Sequence, residues 1–317
     1  MHTVFTIAHE LNKLAKLNEK LIYGITMRAA WQTIKKLSAK PENIGGLPGM
    51  TMVLHTFGSD MKYHIHVHAL ITFGGLDEDG NWVWPKRKKK LAGYREMCRV
   101  YRDTFIEMLE RHWAKGDLVE VDDMEGLLET IKKKRWNVRN EKPTADTDVL
   151  ERYLARYINR IAISKSRLKY VLPKDGKQDY VVIEYKDYRR QKKEDLQVAP
   201  KATKWVEPLS AIHQFMQHVL PPYFQKSRHC GLHHPITWKR VKDQIPKKLK
   251  RNGKTVRIIF MILKYINGLD CSKCEECGHE EFNITGVRAD ENWIFYFVTL
   301  PSYRGPPGNR SITNVEF

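Results

Sequence analysis

Apolar and polar residues alternate most strictly over Tyr63-His64-Ile65-His66-Val67-His68-Ala69-Leu70-Ile71. Side chains along a strand point alternately to opposite faces, so this spacing predicts a strand with His64, His66 and His68 on one face. Tyr63, Ile65, Val67, Ala69 and Ile71 share the other face, which reads as core. Residues 52–57 predict a second short strand, and Gly58-Ser59-Asp60 supplies turn chemistry for a hairpin. A turn centred on Ser59-Asp60 sets His55 opposite His64 and diagonal to His66. Four of the chain's 13 histidines then converge on one patch of sheet. Imidazole nitrogens presented at i, i+2 from a rigid strand begin a divalent-metal site.

The pattern elsewhere predicts further strands and helices. Residues 3–8 are rich in β-branched and aromatic side chains and predict a strand. A helix is expected over 10–39, from the spacing of Leu11, Leu14, Leu17, Leu21, Ile25 and Met27. Residues 94–113 and 124–134 predict two more helices, followed by a strand at Trp136-Asn137-Val138. Over 148–161 the chain carries two helical stripes. Leu150, Leu154, Ile158 and Ile161 form the core-facing one. Tyr153, Arg156, Tyr157 and Arg160 form a second, about a quarter turn away. Tyrosines that merely filled the core belong on the first stripe. Residues 168–172 and 180–185 predict a hairpin, and 207–220 a helix stopped by Pro221-Pro222.

Charge narrows the partner. With 55 Lys+Arg against 37 Asp+Glu the net charge is +18, which favours a polyanion, nucleic acid ahead of an anionic membrane. Lys165 and Arg167 sit in a basic loop after the tyrosine helix. Residues 239–257, on an expected helical pair, hold nine basic residues and one aspartate, a DNA-backbone surface outside the metal patch. No apolar run reaches membrane-spanning length, and residues 1–9 lack a signal-peptide pattern. Five cysteines, three of them bunched, exclude a secreted disulfide framework and point to the cytoplasm. Cys271, Cys274, Cys277 and His279 are candidate ligands for a structural zinc; the alternative is reduced cysteines in a loop. The organisation expected is α+β: a catalytic domain over 1–200 and a basic, mainly helical region over 201–317.

The two special segments also complement each other chemically. A metal held by histidines neutralises charge on a phosphate, and a tyrosine phenol can attack phosphorus to form a covalent ester. Here the sequence resembles a family. His66-Val67-His68 resembles the HUH motif of single-strand DNA nickases, two histidines around a hydrophobic residue. Tyr153-Leu154-Ala155-Arg156-Tyr157 resembles the two-tyrosine motif of rolling-circle insertion-sequence transposases. Val4-Phe5-Thr6-Ile7, Glu10-Leu11-Asn12, Val53-Leu54-His55-Thr56-Phe57, Arg160-Ile161-Ala162-Ile163-Ser164 and Lys186-Asp187-Tyr188-Arg189 also fit. So do His218-Val219-Leu220-Pro221 and Arg228-His229-Cys230-Gly231, and the likeness covers residues 3–235.

The resemblance implies an antiparallel sheet with the HUH strand central and helices flanking it. It implies a DNA transposase that cleaves and rejoins single-stranded DNA, at element ends and target, through a 5′-phosphotyrosine at Tyr153 or Tyr157. Arg156, Arg160, Lys165 and Arg167 would contact the DNA. His66 and His68 would ligate a divalent ion, Mg²⁺ or Mn²⁺ with Zn²⁺ as the alternative, and no nucleotide cofactor is needed. His55 is expected as the third ligand, with His64 the competitor. Alternatives are a plasmid replication initiator or mobilisation nickase with the same chemistry, and a non-catalytic DNA-binding remnant. Family members usually carry an N-terminal cysteine-rich zinc module, whereas this sequence opens directly on the catalytic region.

Overall fold

The histidine alternation and the polar turn before it become the central hairpin of a five-stranded sheet. A computed structural model of the protein describes residues 1–143, 162–172, 178–187 and 199–245, with the backbone of Phe282–Ala289 and Trp293–Thr299. Strand β1 (His2–Thr6) passes through a 3-10 turn (His9–Leu11) into α1 (Asn12–Leu17) and α2 (Glu19–Ser38). The hairpin is β2 (Gly49–Phe57) and β3 (Tyr63–Ile71), followed by the short pair β4 (Gly75–Leu76) and β5 (Trp82–Val83). Next come α3 (Tyr94–Ala114), α4 (Met124–Lys133) and β6 (Asn137–Asn140). Later elements are β7 (Leu168–Val171), β8 (Tyr180–Lys186), β9 (Lys201–Val206), α5 (Pro208–Met216), β10 (Ser227–Gly231) and α6 (Pro235–Val241).

The main sheet runs β10-β2-β3-β1-β6, with every pairing antiparallel and β3 in the middle. Helices cover one of its faces. Phe5, Leu54, Ile65, Val67 and Ala69 from the strands join Tyr23, Ile25, Tyr101, Phe105, Leu128 and Ile131 from the helices in one buried cluster. Phe5 meets Tyr101 edge to face with centroids 5.0 Å apart, and Trp136 packs on both Tyr101 and Phe105. Each such side chain contributes about 1.5–3 kcal/mol on burial. The fold is therefore α+β, an antiparallel sheet with flanking helices.

Two expectations are corrected in detail. The long first helix is interrupted at Asn18, where φ is −135°. The Asn18 amide donates to the Leu14 and Val119 carbonyls, and its side-chain oxygen accepts from the Val119 N–H. An asparagine that bonds the backbone in this way competes with helix continuation.

The hairpin register also differs. His55 pairs with His66, not His64, and Val53 pairs with His68. The loop is longer than a two-residue turn: Gly58 N–H donates to the Lys62 carbonyl, and Met61 adopts a φ of +61°. A bulge follows, with His64 and Ile65 of β3 opposite Thr56 alone of β2. Met61 tolerates the left-handed region because its side chain is buried with Ile163 and Ile183. The register moves by two residues, so the faces are kept.

A second sheet, β7-β8-β9, is antiparallel. Its first two strands match the hairpin expected over 168–185, and β9 is an addition. In β9 the half-buried positions include Lys204 and the exposed ones Trp205, the reverse of the usual hydropathy pattern. This sheet is tied to the hairpin loop, since Ser59 Oγ donates to the Lys186 carbonyl over 2.7 Å.

The chain divides into two compact units, Met1–Lys250 and Arg251–Phe317. In the second, β11 (Phe282–Ala289) and β12 (Trp293–Thr299) form an antiparallel pair with an irregularity between Ile284 and Gly286. Strand β10, beyond residue 200, is an edge of the main sheet in the first unit. Most of 239–257 lies outside the described residues.

Candidate metal centre

The sheet face opposite the helices carries imidazoles. His66 and His68 are two apart on β3, and His55 faces His66 across the β2–β3 ladder. Their ring centroids are 5.4 Å (His55–His66), 4.7 Å (His55–His68) and 4.9 Å (His66–His68) apart. One ligand nitrogen from each lies within 4.8 Å of those of the others. All three are buried, with relative exposures of 1%, 9% and 9%. His55 stacks on Phe57 at 5.0 Å, which holds its ring plane. His66 Nδ1 is 2.9 Å from the His64 carbonyl oxygen. A carbonyl only accepts, so Nδ1 carries the proton and Nε2 keeps a lone pair.

Three imidazoles packed this closely cannot all be protonated without strong repulsion. As neutral nitrogen donors on a rigid hairpin they suit one divalent ion, and the donor set fits such an ion. His64 is exposed, its ring 5.1 Å from that of His66.

The surroundings contain histidines that hydropathy alone did not single out. His2 Nε2 lies 3.2 Å from His68 Nδ1, and His2 Nδ1 lies 3.0 Å from Glu141 Oε2. The His2 hydrogen bond holds the Glu141 carboxyl below the usual carboxylate range. The alternation His2, Val4, Thr6 on a strand beside the hairpin was the available signal. Further along the same face, Thr51 Oγ1 contacts His229 Nδ1 at 2.9 Å and His233 Nδ1 at 3.0 Å. Burial, reinforced by His229, lowers the pKa of His233 from 6.5 to about 4. His218 Nε2 donates to the Met61 carbonyl over 3.0 Å, securing the hairpin loop.

The other expected site residues are placed unevenly. Lys165 lies exposed in a 3-10 turn (Lys165–Arg167). Arg167 donates to the Glu184 carbonyl over 2.8 Å and also to the Ser59 carbonyl, so it binds the second sheet to the hairpin loop. Tyr153, Arg156, Tyr157, Arg160, Cys271, Cys274, Cys277 and His279 lie outside the described residues.

An all-antiparallel sheet whose central hairpin gathers three buried histidines defines a candidate metal-binding α+β protein. Residues 49–241 match the family described as "Y2_Tnp: Putative transposase", and the chain belongs to that family. It is 31% identical over 240 residues to "Putative transposase y4qJ" of Sinorhizobium fredii, covering 73% of this chain and 57% of that protein. It is 27% identical over 290 residues to "Transposase for insertion sequence element IS801" of Pseudomonas savastanoi pv. phaseolicola, covering 87% of this chain and 65% of that protein. The chain thus spans less than two thirds of the length of either curated relative. No solved structure matches it. Among the described residues, no helix is long and apolar enough to cross a membrane.

Proposed function

We propose that the protein is a rolling-circle transposase that cleaves and rejoins single-stranded DNA through a 5′-phosphotyrosine. The observation that carries this reading is the buried group His55, His66 and His68 on the central hairpin. The family membership and the +18 net charge accord with a DNA substrate.

His55, His66 and His68 would hold a divalent cation, Mg²⁺ or Mn²⁺ ahead of Zn²⁺, which supplies charge neutralisation at the scissile phosphate. Tyr153 and Tyr157 are the nucleophiles. A phenol oxygen forms a bond to phosphorus as the bond from phosphorus to the 3′ oxygen breaks. The leaving oxygen takes up a proton and becomes a free 3′-hydroxyl. The ester conserves the energy of the broken diester, so a later 3′-hydroxyl can displace the tyrosine and rejoin DNA without ATP. Arg156 and Arg160, on the same expected helical stripe, would orient phosphates by bidentate hydrogen bonds. A phenol at its reference pKa of about 10 is largely neutral at pH 7, so neighbouring positive charge is needed to favour the anion.

Labelled single-stranded oligonucleotides carrying element-end sequence, incubated with the protein and Mn²⁺, test this on denaturing gels. A protein-linked strand is expected for the parent and for each single variant, Tyr153→Phe and Tyr157→Phe. The double variant should give none. A covalent strand on the double Phe protein would place the nucleophile elsewhere.

A further inference from the structure

We propose that the outer face of the second sheet, β7-β8-β9, binds single-stranded DNA, with bases stacked on Trp205 and Tyr180 and phosphates held by Lys169, Lys186 and Lys201. This rests on the single-strand reading above and gives the DNA a surface beyond the histidine group. The observation that carries it is the inverted pattern of β9. Lys201, Thr203 and Trp205 are exposed, while Ala202, Lys204 and Val206 are half-buried. A shift of one residue would turn the indole inward and the Lys204 ammonium out to water. Instead Lys204 lies opposite Ile183 on the inner face, where its Nζ donates to Gln214 Oε1 over 2.6 Å. Burial there lowers its pKa. Trp205 stays 60% exposed. An outward indole contributes little burial to the fold, so its ring is available to a ligand.

The register sets its neighbours. Trp205 pairs with Val182 on β8, and Val182 pairs with Lys169 on β7, so these three form one row across the face. Tyr180 lies two residues from Val182 and meets Trp205 edge to face, the centroids 6.0 Å apart. That contact orients the indole before any ligand arrives. In the other direction along β8 come Glu184, opposite Thr203, and Lys186, opposite Lys201. Like charges directly opposite one another repel. Glu184 is the one acid in the three strands, against four lysines, and Lys201 Nζ reaches it over 2.9 Å. A phosphate beside Lys186 would offset the remaining charge. From Tyr180 to Lys186 the strand runs seven residues, about 20 Å. Any base can stack on an aromatic ring, while lysines follow the backbone. In a duplex the base faces are already stacked on one another, so this surface selects a single strand. Its Lys186 end is fixed to the histidine hairpin, since Ser59 Oγ, in the loop joining β2 to β3, donates to the Lys186 carbonyl over 2.7 Å.

Fluorescence anisotropy of labelled oligothymidylate with the full chain, in EDTA so that no cleavage intervenes, tests the surface. Trp205→Leu keeps an apolar side chain beside Tyr180 but removes the π-face. Its Kd should be about 5- to 150-fold weaker. Trp205→Phe keeps a π-face and should fall between Trp205→Leu and the parent. The double variant Lys186→Gln/Lys201→Gln should reduce the slope of log Kd against log salt by about 1.4, whereas Trp205→Leu should leave that slope unchanged. An oligonucleotide with abasic sites, phosphates without bases, should bind the parent and Trp205→Leu equally. The indole is exposed, so the Tm of Trp205→Leu should match that of the parent. Equal oligothymidylate Kd values for parent and Trp205→Leu would overturn the assignment while leaving the cleavage reading intact. Should the parent then be a dimer and Trp205→Leu a monomer on gel filtration, the face joins copies of the chain instead. A parent with no affinity for oligothymidylate removes the single-strand reading, and this surface with it.

Discussion

On the helix-covered face of β3, Ile65, Val67 and Ala69 belong to one apolar cluster with Phe5, Leu54 and Tyr101. On the opposite face, His66 and His68 are nearly as buried, but they meet His55, His2 and a backbone carbonyl. The same strand thus supports two kinds of interior. Apolar packing is non-directional and accepts volume-conserving exchanges at small cost. Buried imidazoles need a partner of defined polarity at each nitrogen, because an unsatisfied one costs about 1–3 kcal/mol. Stability should therefore depend mainly on the first face, and metal and pH sensitivity on the second.

Phe5→Ala should break the apolar face. It leaves a cavity against Tyr101 and is expected to cost about 3–5 kcal/mol in urea unfolding. A loss under about 1 kcal/mol would mean that this face is not the core. His68→Ala should behave in the opposite way. With Mn²⁺ at a hundredfold excess over Kd, the parent should gain about 2.7 kcal/mol of stability, and the variant none. DNA cleavage should disappear with that gain. Equal thermal shifts for parent and variant would remove His68 from the site.

The pH dependence sharpens the contrast. His233 has a folded pKa of about 4, below the ordinary 6.5, chiefly through burial. In that window the unfolded chain binds a proton that the folded chain does not. Stability from this group is thus complete above about pH 6.5 and is lost as pH falls towards 4. The ring's partial exposure limits the loss to about 1–2 kcal/mol. His233→Gln should flatten this part of the curve; an identical pH profile would contradict the shift. The smallest effect is expected at the start of α4, a helix that carries none of the candidate ligands. Asp123 accepts from the Gly126 N–H over 2.8 Å at the start of α4, so Asp123→Ala should cost about 1 kcal/mol. Its Mn²⁺ affinity should equal that of the parent.

Much of this contrast was legible in the residues. The period-two pattern over 63–71 gave the strand and its two faces, and the face survived an error in register because that error was an even number of residues. The register itself was not legible, since it depends on Met61 holding a left-handed backbone by burying its side chain against Ile163 and Ile183, more than a hundred residues away. Strand β9 was hidden by Lys204 and Trp205, whose exposures invert their hydropathy. His2 was overlooked because its contact with His68 arises from strand pairing between β1 and β3, which a local pattern does not contain.

The most direct test of the histidine centre is pulsed EPR of the Mn²⁺-loaded chain. Electron spin-echo modulation from directly coordinated imidazole nitrogen is expected in the parent. It should weaken when His55, His66 or His68 is replaced singly by alanine, and should be lost in the triple variant. A Mn²⁺ spectrum without imidazole nitrogen coupling, or one unchanged in the triple variant, would contradict the account.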